Sequence, residues 1–209
     1  DGSFLAAWFA GTKEGADDVS IHGAIRSPGG TWSAPARWAR VSESPHWNPV
    51  LFQPDAGRTI LYFKVGSPID RWETWTTESN DGGLTWSDPA ELVPGDVGGR
   101  GPVKNKPIVL SDGSWLAPNS LETAGEWRVA TDRSEDGGKT WTPGVGPEID
   151  RSAIRGAGAI QPTLWESSPG KVRMLARSSC GFLCRAESDD SGRTWNPLTP
   201  TDLPNNNSG

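Results

Sequence analysis

The sequence predicts an all-β fold, a β-propeller with four-stranded antiparallel blades, about four of them present. Three observations carry that expectation. Composition is the first: 26 Gly and 18 Pro punctuate a chain of 209 residues that holds 12 Trp but one Tyr. Many short strands joined by Gly/Pro turns fit this mix better than helices do. The second is a recurring nine-residue turn, SNDGGLTWS from Ser79, SEDGGKTWT from Ser134 and SDDSGRTWN from Ser188. The third is its period. Trp86, Trp141 and Trp195 close the three turns at spacings of 55 and 54, and a step of 54 back from Trp86 reaches Trp32 in the degenerate copy RSPGGTWSAP. Self-similarity at this period marks a repeat architecture.

A second marker runs in phase with the first. DGSFLAAWF at Asp1, DAGRTILYF at Asp55, DGSWLAPNS at Asp112 and PGKVRMLAR at Pro169 each put a turn before an extended apolar run. The whole chain, 1–209, therefore reads as a single repeat domain. One unit shows its elements in order. HWNPVLFQ is a strand, PDAG a turn and RTILYFKV a second strand rich in β-formers. RWETWTTES is a third strand, NDGG a hairpin turn, and TWSDPAELV a fourth strand. Four antiparallel strands per repeat describe a propeller blade. Within the turn, Asp81 is expected to bind the amides of its own loop, and Gly82 and Gly83 to take positive φ. The chain opens at a blade's first turn and closes where the next innermost strand is due, so it is expected to be part of a larger propeller.

In such a blade, the first-to-second and third-to-fourth turns share one end. The second-to-third loops and the links between blades share the other. Asp81, Asp136 and Asp190 then belong to structural turns, and chemistry is expected at the opposite end. The loops there are GTKEGADD, KVGSPIDR, NSLETAGEW and RSSCG, and the links are PHWNP, RGPVKNKP, RGAGAIQP and LPNNNSG. Each link carries a polar residue just before an innermost strand: Asn48, Lys106, Gln161, Asn207. Lys13, Lys64, Lys104, Lys106 and Arg177 are candidates to hold an anion. Glu14, Asp17, Asp18 and Glu122 are candidate acids or bases, and His46 titrates near neutrality. His46, Asn48 and Gln161 are candidates to bind hydroxyls, Asn105 is a further candidate substrate contact, and Trp47 and Trp127 are candidates to stack on a sugar ring. Lys104, Asn105 and Lys106 stand between prolines that restrict the backbone. His46 has an alternative role, as a buried histidine fixing the link beside Trp47.

The net charge of -6 argues against a general nucleic-acid binder. No apolar run approaches the ~18 residues of a membrane span, and no signal peptide is evident. Cys180 and Cys184, in RSSCGFLCRAES, read either as a disulfide across a hairpin or as two thiols of a buried strand. No metal-ligating constellation is visible and no cofactor is expected, although a cation held on backbone oxygens would leave no trace in sequence.

The turn S-x-D-x-G-x-x-W is the Asp-box, and the chain resembles the BNR/Asp-box proteins of the sialidase (neuraminidase) superfamily across all four repeats. The resemblance implies a parent of six or seven blades. It implies an exo-α-sialidase type of glycoside hydrolase, and an acidic glycan as partner. RMLARSSCGFLCRAESDDSGRTW looks like the sialidase segment in which an arginine precedes an Asp-box. Arg177 is then a member of the arginine triad that grips the sialic acid carboxylate. DGSFLAAWFAGTKEGADDVSIHGAIRS resembles the region holding the acid/base aspartate, for which Asp17, Asp18 and Glu14 compete. There are departures. The F-R-I-P motif is absent. The sole tyrosine, Tyr62, lies within a strand, although the sialidase nucleophile is a tyrosine. Val109 stands where the family has its activating glutamate, and Leu121 where it has another arginine, with Glu122 one step on. Two other readings stand beside this one. One is a polysaccharide lyase cleaving rhamnose–glucuronate linkages by β-elimination, with His46 as base and Lys104, Lys106 or Arg177 neutralising the uronate. The other is a non-catalytic propeller that binds a glycan or a protein.

Overall fold

The computed structural model describes residues 2–207. Asp1, which opens the first marker, and Ser208 and Gly209, which end the last link, lie outside them. The chain divides into two compact units, Asp1–Val97 and Gly98–Gly209.

The first unit holds two sheets. Strands β1 (Phe4–Ala10), β2 (Ser20–Arg26) and β3 (Ala36–Ala39) form one, in that order. Strands β4 (His46–Asp55), β5 (Arg58–Val65), β6 (Glu73–Ser79) and β7 (Ala90–Glu91) form the other, again in chain order, with a 3₁₀ turn at Ile69–Arg71 before β6. Every pairing is antiparallel. The strands of the second sheet follow the sequence reading of one blade. In the first sheet, β1 follows the first-blade marker turn, so the sheet begins at the blade's second-strand position. Ile21, Leu61 and Phe63, each 0 % exposed, anchor a core to which Ala7, Phe9, Trp38 and Trp86 pack. Burying each large side chain contributes about 1.5–3 kcal/mol.

In the second unit, β8 (Ile108–Val109), β9 (Trp115–Glu122), β10 (Trp127–Ser134) and β11 (Thr142–Pro143) make one meander. Strands β12 (Ala159–Ser168), β13 (Lys171–Ser178), β14 (Phe182–Ser188) and β15 (Thr199–Pro204) make the other. Along β13, Val172, Met174 and Ala176 are buried, while Arg173, Leu175 and Arg177 face the other way and stay half-buried. This alternation is the period of a strand with one covered face. The buried set joins Leu110, Leu116, Ile154 and Leu198 in a single core.

The Asp-box turns have one geometry. Asp81 accepts hydrogen bonds from Ser79 Oγ (2.8 Å), Thr85 N (2.9 Å) and Thr85 Oγ1 (2.5 Å). Asp136 repeats this with Ser134 and Thr140, and Asp190 with Ser188 and Thr194. The threonine hydrogen bonds foremost hold the Asp81 and Asp136 carboxyls down at about 2. For Asp190, partial burial pushes upward, but the Thr194 and Ser188 bonds outweigh it and the value is again about 2. The box also needs its glycine. Gly83 has φ +88, and a Cβ there would stand 2.9 Å from Leu5. One expectation fails in detail: Thr85 and Trp86 do not start the outer strand. Asp81 takes the Thr85 N–H, Ser87 N makes a first backbone bond to Glu78 O (2.8 Å), and β7 itself begins at Ala90, after Pro89, which has no N–H to give.

Candidate functional site

The two ends of the blades separate as the repeat requires. In the second unit, Ser191 N of the last Asp-box donates to Gly170 O of a first-to-second turn (2.8 Å). At the other end, Ser179 N of a second-to-third loop donates to Gly158 O of a link (2.9 Å). In the first unit, Gly66 N of a loop donates to Pro45 O of a link (3.0 Å). The candidate residues lie at this loop-and-link end of each unit.

In the second unit they converge on Arg177, at the end of β13. Its Nε donates to Asn207 Oδ1 (3.1 Å) and its Nη1 to Gln161 Oε1 (3.2 Å). The guanidinium lies over the Trp127 ring, 5.2 Å from its centroid. Nη2 has no hydrogen-bond partner among the described residues. Three contacts thus fix the plane of the guanidinium and leave one edge without a hydrogen-bond partner among the described residues.

The backbone explains how these partners are presented. Asn48, Gln161 and Asn207 all have positive φ, at 44°, 55° and 64°. Asn48 and Gln161 each precede a proline at a register shift in their innermost strand, β4 or β12. A bulge there re-aims the side chain out of the pleat. At Gln161 the bulge is held from two sides: its N–H donates to Ser120 Oγ (2.7 Å), and Asn105 Nδ2 donates to the carbonyls of Gln161 and Pro162 (3.1 Å each). Asn105 therefore spends its amide on backbone, and it draws Lys104 and Lys106, both exposed, to the Gln161 bulge. The positive φ in this link falls on Lys104 (63°), whereas Lys106 has none. Gly158 is required for its own reason: with φ +124, a Cβ would stand 2.4 Å from Trp127 O. Glu122, on β9 opposite Trp127, is half-buried. Val109 and Leu121 are exposed, at 43 % and 40 %.

In the first unit the loop of residues 11–18 carries the acids. Both Asp18 oxygens accept from Thr12, at 2.9 Å from the amide to Oδ2 and 3.1 Å from the hydroxyl to Oδ1, which closes the loop. Asp17 accepts Arg40 only at its backbone carbonyl (3.2 Å), and Glu14 and Lys13 are exposed. Gly15 lies over Trp47, whose Nε1 donates to Gly66 O (3.0 Å) and whose ring packs with Trp72 and Phe9. Trp47 is thus a floor under the acidic loop.

Two candidates occupy interior positions. His46 is 0 % exposed, its Nδ1 lies 2.9 Å from Ser44 O, and its Nε2 accepts from Val41 N (3.0 Å). Burial foremost lowers its pKa, Arg40 adds to this, and the bond to Ser44 opposes it in part. Both nitrogens are occupied, and the ring ties the start of β4 to the backbone of the link before it. Lys64 is 1 % exposed and donates to Thr74 Oγ1 (2.7 Å), whereas an open anion site needs an accessible cation. Its burial follows from β5, a strand covered on both faces. Tyr62, on the same strand, is 1 % exposed, its hydroxyl has no hydrogen-bond partner among the described residues, and burial raises its pKa.

Sequence reasoning reached Arg177 and its polar neighbours but missed Ser120 and the bulge geometry. The N-P and Q-P dipeptides at the same point of two repeats are the signal that could have found the bulges. Among the described residues, no group of three or more His, Cys, Asp or Glu could hold a metal ion. No helix among the described residues is long and apolar enough to cross a membrane.

Asp-box turns at one end and a polar loop end opposite define an Asp-box propeller protein. The model of the BNR repeat-like domain matches residues 2–209, and the chain belongs to that family. No curated protein matches it. Among solved structures, a Hadza microbial sialidase is similar at 15 % identity and TM-score 0.74, over 97 % of this chain and 44 % of that one. A protein of unknown function from Dyadobacter fermentans is similar at 15 % identity and TM-score 0.77, over 97 % and 66 %. The Trypanosoma rangeli sialidase, solved as a covalent intermediate with 2,3-difluorosialic acid, is similar at 19 % identity and TM-score 0.69, over 94 % and 36 %. The chain spans less than two thirds of the length of these structures. At these identities the likeness is one of fold.

Proposed function

We propose that this protein is a sialidase-type glycoside hydrolase, and that this chain supplies its recognition of a carboxylate-bearing sugar. The observation that carries the reading is the fixed guanidinium of Arg177, held by Gln161, Asn207 and Trp127 with one edge unoccupied. A planar fork matches both oxygens of a carboxylate, and prior fixing reduces the entropy lost on binding. Lys104 and Lys106 raise the local positive potential. Within the first unit, Asp18 is the acid of the 11–18 loop whose carboxylate is held in place, which favours it over Asp17 and Glu14 for an acid/base role. Tyr62 is not the nucleophile in this reading, because its hydroxyl is buried.

One observation favours a second reading, a glycan-binding propeller without turnover. Exposed Val109 and Leu121 stand where the family resemblance places a glutamate and an arginine. The lyase reading loses its base, since both nitrogens of His46 are engaged. A paired assay of the full-length protein tests these alternatives. It is incubated with a sialoside and, separately, with a rhamnose-capped glucuronide. Free sialic acid is the expected product. Unsaturated uronate would replace the hydrolase reading with the lyase. Binding of the sialoside with neither product would select the glycan-binding propeller.

A further inference from the structure

Cys180 and Cys184 flank the turn that joins β13 to β14, directly after Arg177. Both are free thiols, with the sulfurs 3.9 Å apart. A disulfide needs ~2.05 Å between them, so a small closing movement suffices. The turn has room for it: Gly181 has φ +89 and nothing within 4 Å of where a Cβ would stand. The two thiols differ in access. Cys180 is half-buried, 3.0 Å from Ser178 Oγ, whereas Cys184 is 0 % exposed and packs in the core of the second unit.

We propose that Cys180 and Cys184 are a thiol–disulfide modification site, closing under oxidising conditions into an intramolecular disulfide that clamps the hairpin beside Arg177. The oxidant is a small-molecule disulfide of the glutathione class. The Cys180 thiolate attacks one oxidant sulfur, expels one thiolate and leaves a mixed disulfide. The Cys184 thiolate then attacks the Cys180 sulfur and expels the second. Two protein thiols become one disulfide and the oxidant's disulfide becomes two thiols, so atoms and electrons balance. The order follows from access. It also follows from acidity: burial pushes Cys180 up, but its hydrogen bonds, that of Ser178 foremost, bring it below its ordinary value. Burial drives Cys184 up to about 12.

The clamp reaches the anion site because the turn holds both partners of Arg177. Gly181 O accepts from Asn205 N (2.9 Å), and Asn205 Oδ1 accepts from Asn207 N (2.9 Å), whose side chain meets Arg177. Ser179 Oγ accepts from Gly158 N (2.9 Å), three residues before Gln161. Oxidation therefore stiffens the frame in which the guanidinium sits. This coupling rests on the carboxylate-binding reading of Arg177, while the disulfide itself does not.

The full-length protein is equilibrated with glutathione disulfide, quenched with acid, alkylated with N-ethylmaleimide and digested with trypsin. Cleavage after Arg177 and Arg185 releases Ser178–Arg185, which holds both cysteines. The expected peptide carries no maleimide and is lighter by two hydrogens, and a dithiol reductant restores two adducts. Two adducts after oxidation would overturn the proposal. Cys180→Ser, which leaves the core thiol in place, is the control that keeps one free thiol. Hydrogen exchange without ligand should slow at residues 177–182 and 205–207 on oxidation of the wild type, and not in Cys180→Ser. Unchanged exchange in an oxidised wild type would overturn the clamp. The affinity for N-acetylneuraminate should shift ~3-fold or more between the two states of the wild type and not in the variant. Binding that ignores the redox state would overturn the coupling. Absence of binding in both states would overturn the carboxylate reading, and the coupling with it, while the disulfide is decided by the peptide masses alone.

Discussion

Single residues divide into those that hold the frame and those left to meet a ligand. His46 belongs to the frame, and its role has a pH signature. A buried base with a lowered pKa binds its proton more readily in the unfolded chain. Its contribution to stability is therefore complete above its ordinary value of 6.5 and is lost as pH falls below it. Denaturant midpoints should fall between pH 7 and pH 5 in the wild type. His46→Gln should be less stable at pH 7 yet lose less over that interval; an equal loss in both would assign the pH dependence elsewhere. Tyr62 is tested by removing its oxygen. The hydroxyl is buried and has no hydrogen-bond partner among the described residues, so Tyr62→Phe should retain activity and match or slightly exceed the wild-type stability. Abolished turnover in a stable Tyr62→Phe protein would instead assign it as the nucleophile.

Turns and strands were the most legible elements in the sequence. Three Ser-x-Asp-x-Gly copies specify their own hydrogen bonds locally, so the turns could be read without tertiary information. The short β7 and β11 were less legible, because the box keeps the Thr N–H that a strand would use. The site was legible only in part. Arg177 followed from the segment before an Asp-box, but the burial of Lys64 and His46 depends on long-range packing that composition does not carry. Another long-range feature is the link that opens the second unit. Asp132, 0 % exposed, accepts from Arg100 Nε (2.8 Å), Gly101 N (2.6 Å) and Asn119 Nδ2 (2.9 Å). Arg100 also donates to Trp141 O (2.8 Å), fastening the link to the outer part of its blade. Removing one partner of a buried pair leaves the other uncompensated, so Asp132→Ala should cost about 3–5 kcal/mol, read from urea denaturation. A loss below ~1 kcal/mol would mean that water replaces the carboxylate.

In the molecule as a whole each blade has two unlike ends: Asp-boxes hold the hairpins at one, and at the other lie the loops and links proposed to bind a ligand. On the proposed reading, Arg177, at the second of these ends, recognises a sugar carboxylate. The most direct measurement is calorimetric titration of the full-length protein with N-acetylneuraminate and with its neutral methyl ester, repeated on Arg177→Lys and Asp136→Asn. The acid should bind at least ~10-fold more tightly than the ester, and Arg177→Lys should remove most of that preference. Asp136→Asn should lower the melting temperature and leave the preference intact. Equal binding of acid and ester, or a preference abolished in a folded Asp136→Asn protein and kept in Arg177→Lys, would contradict the claim.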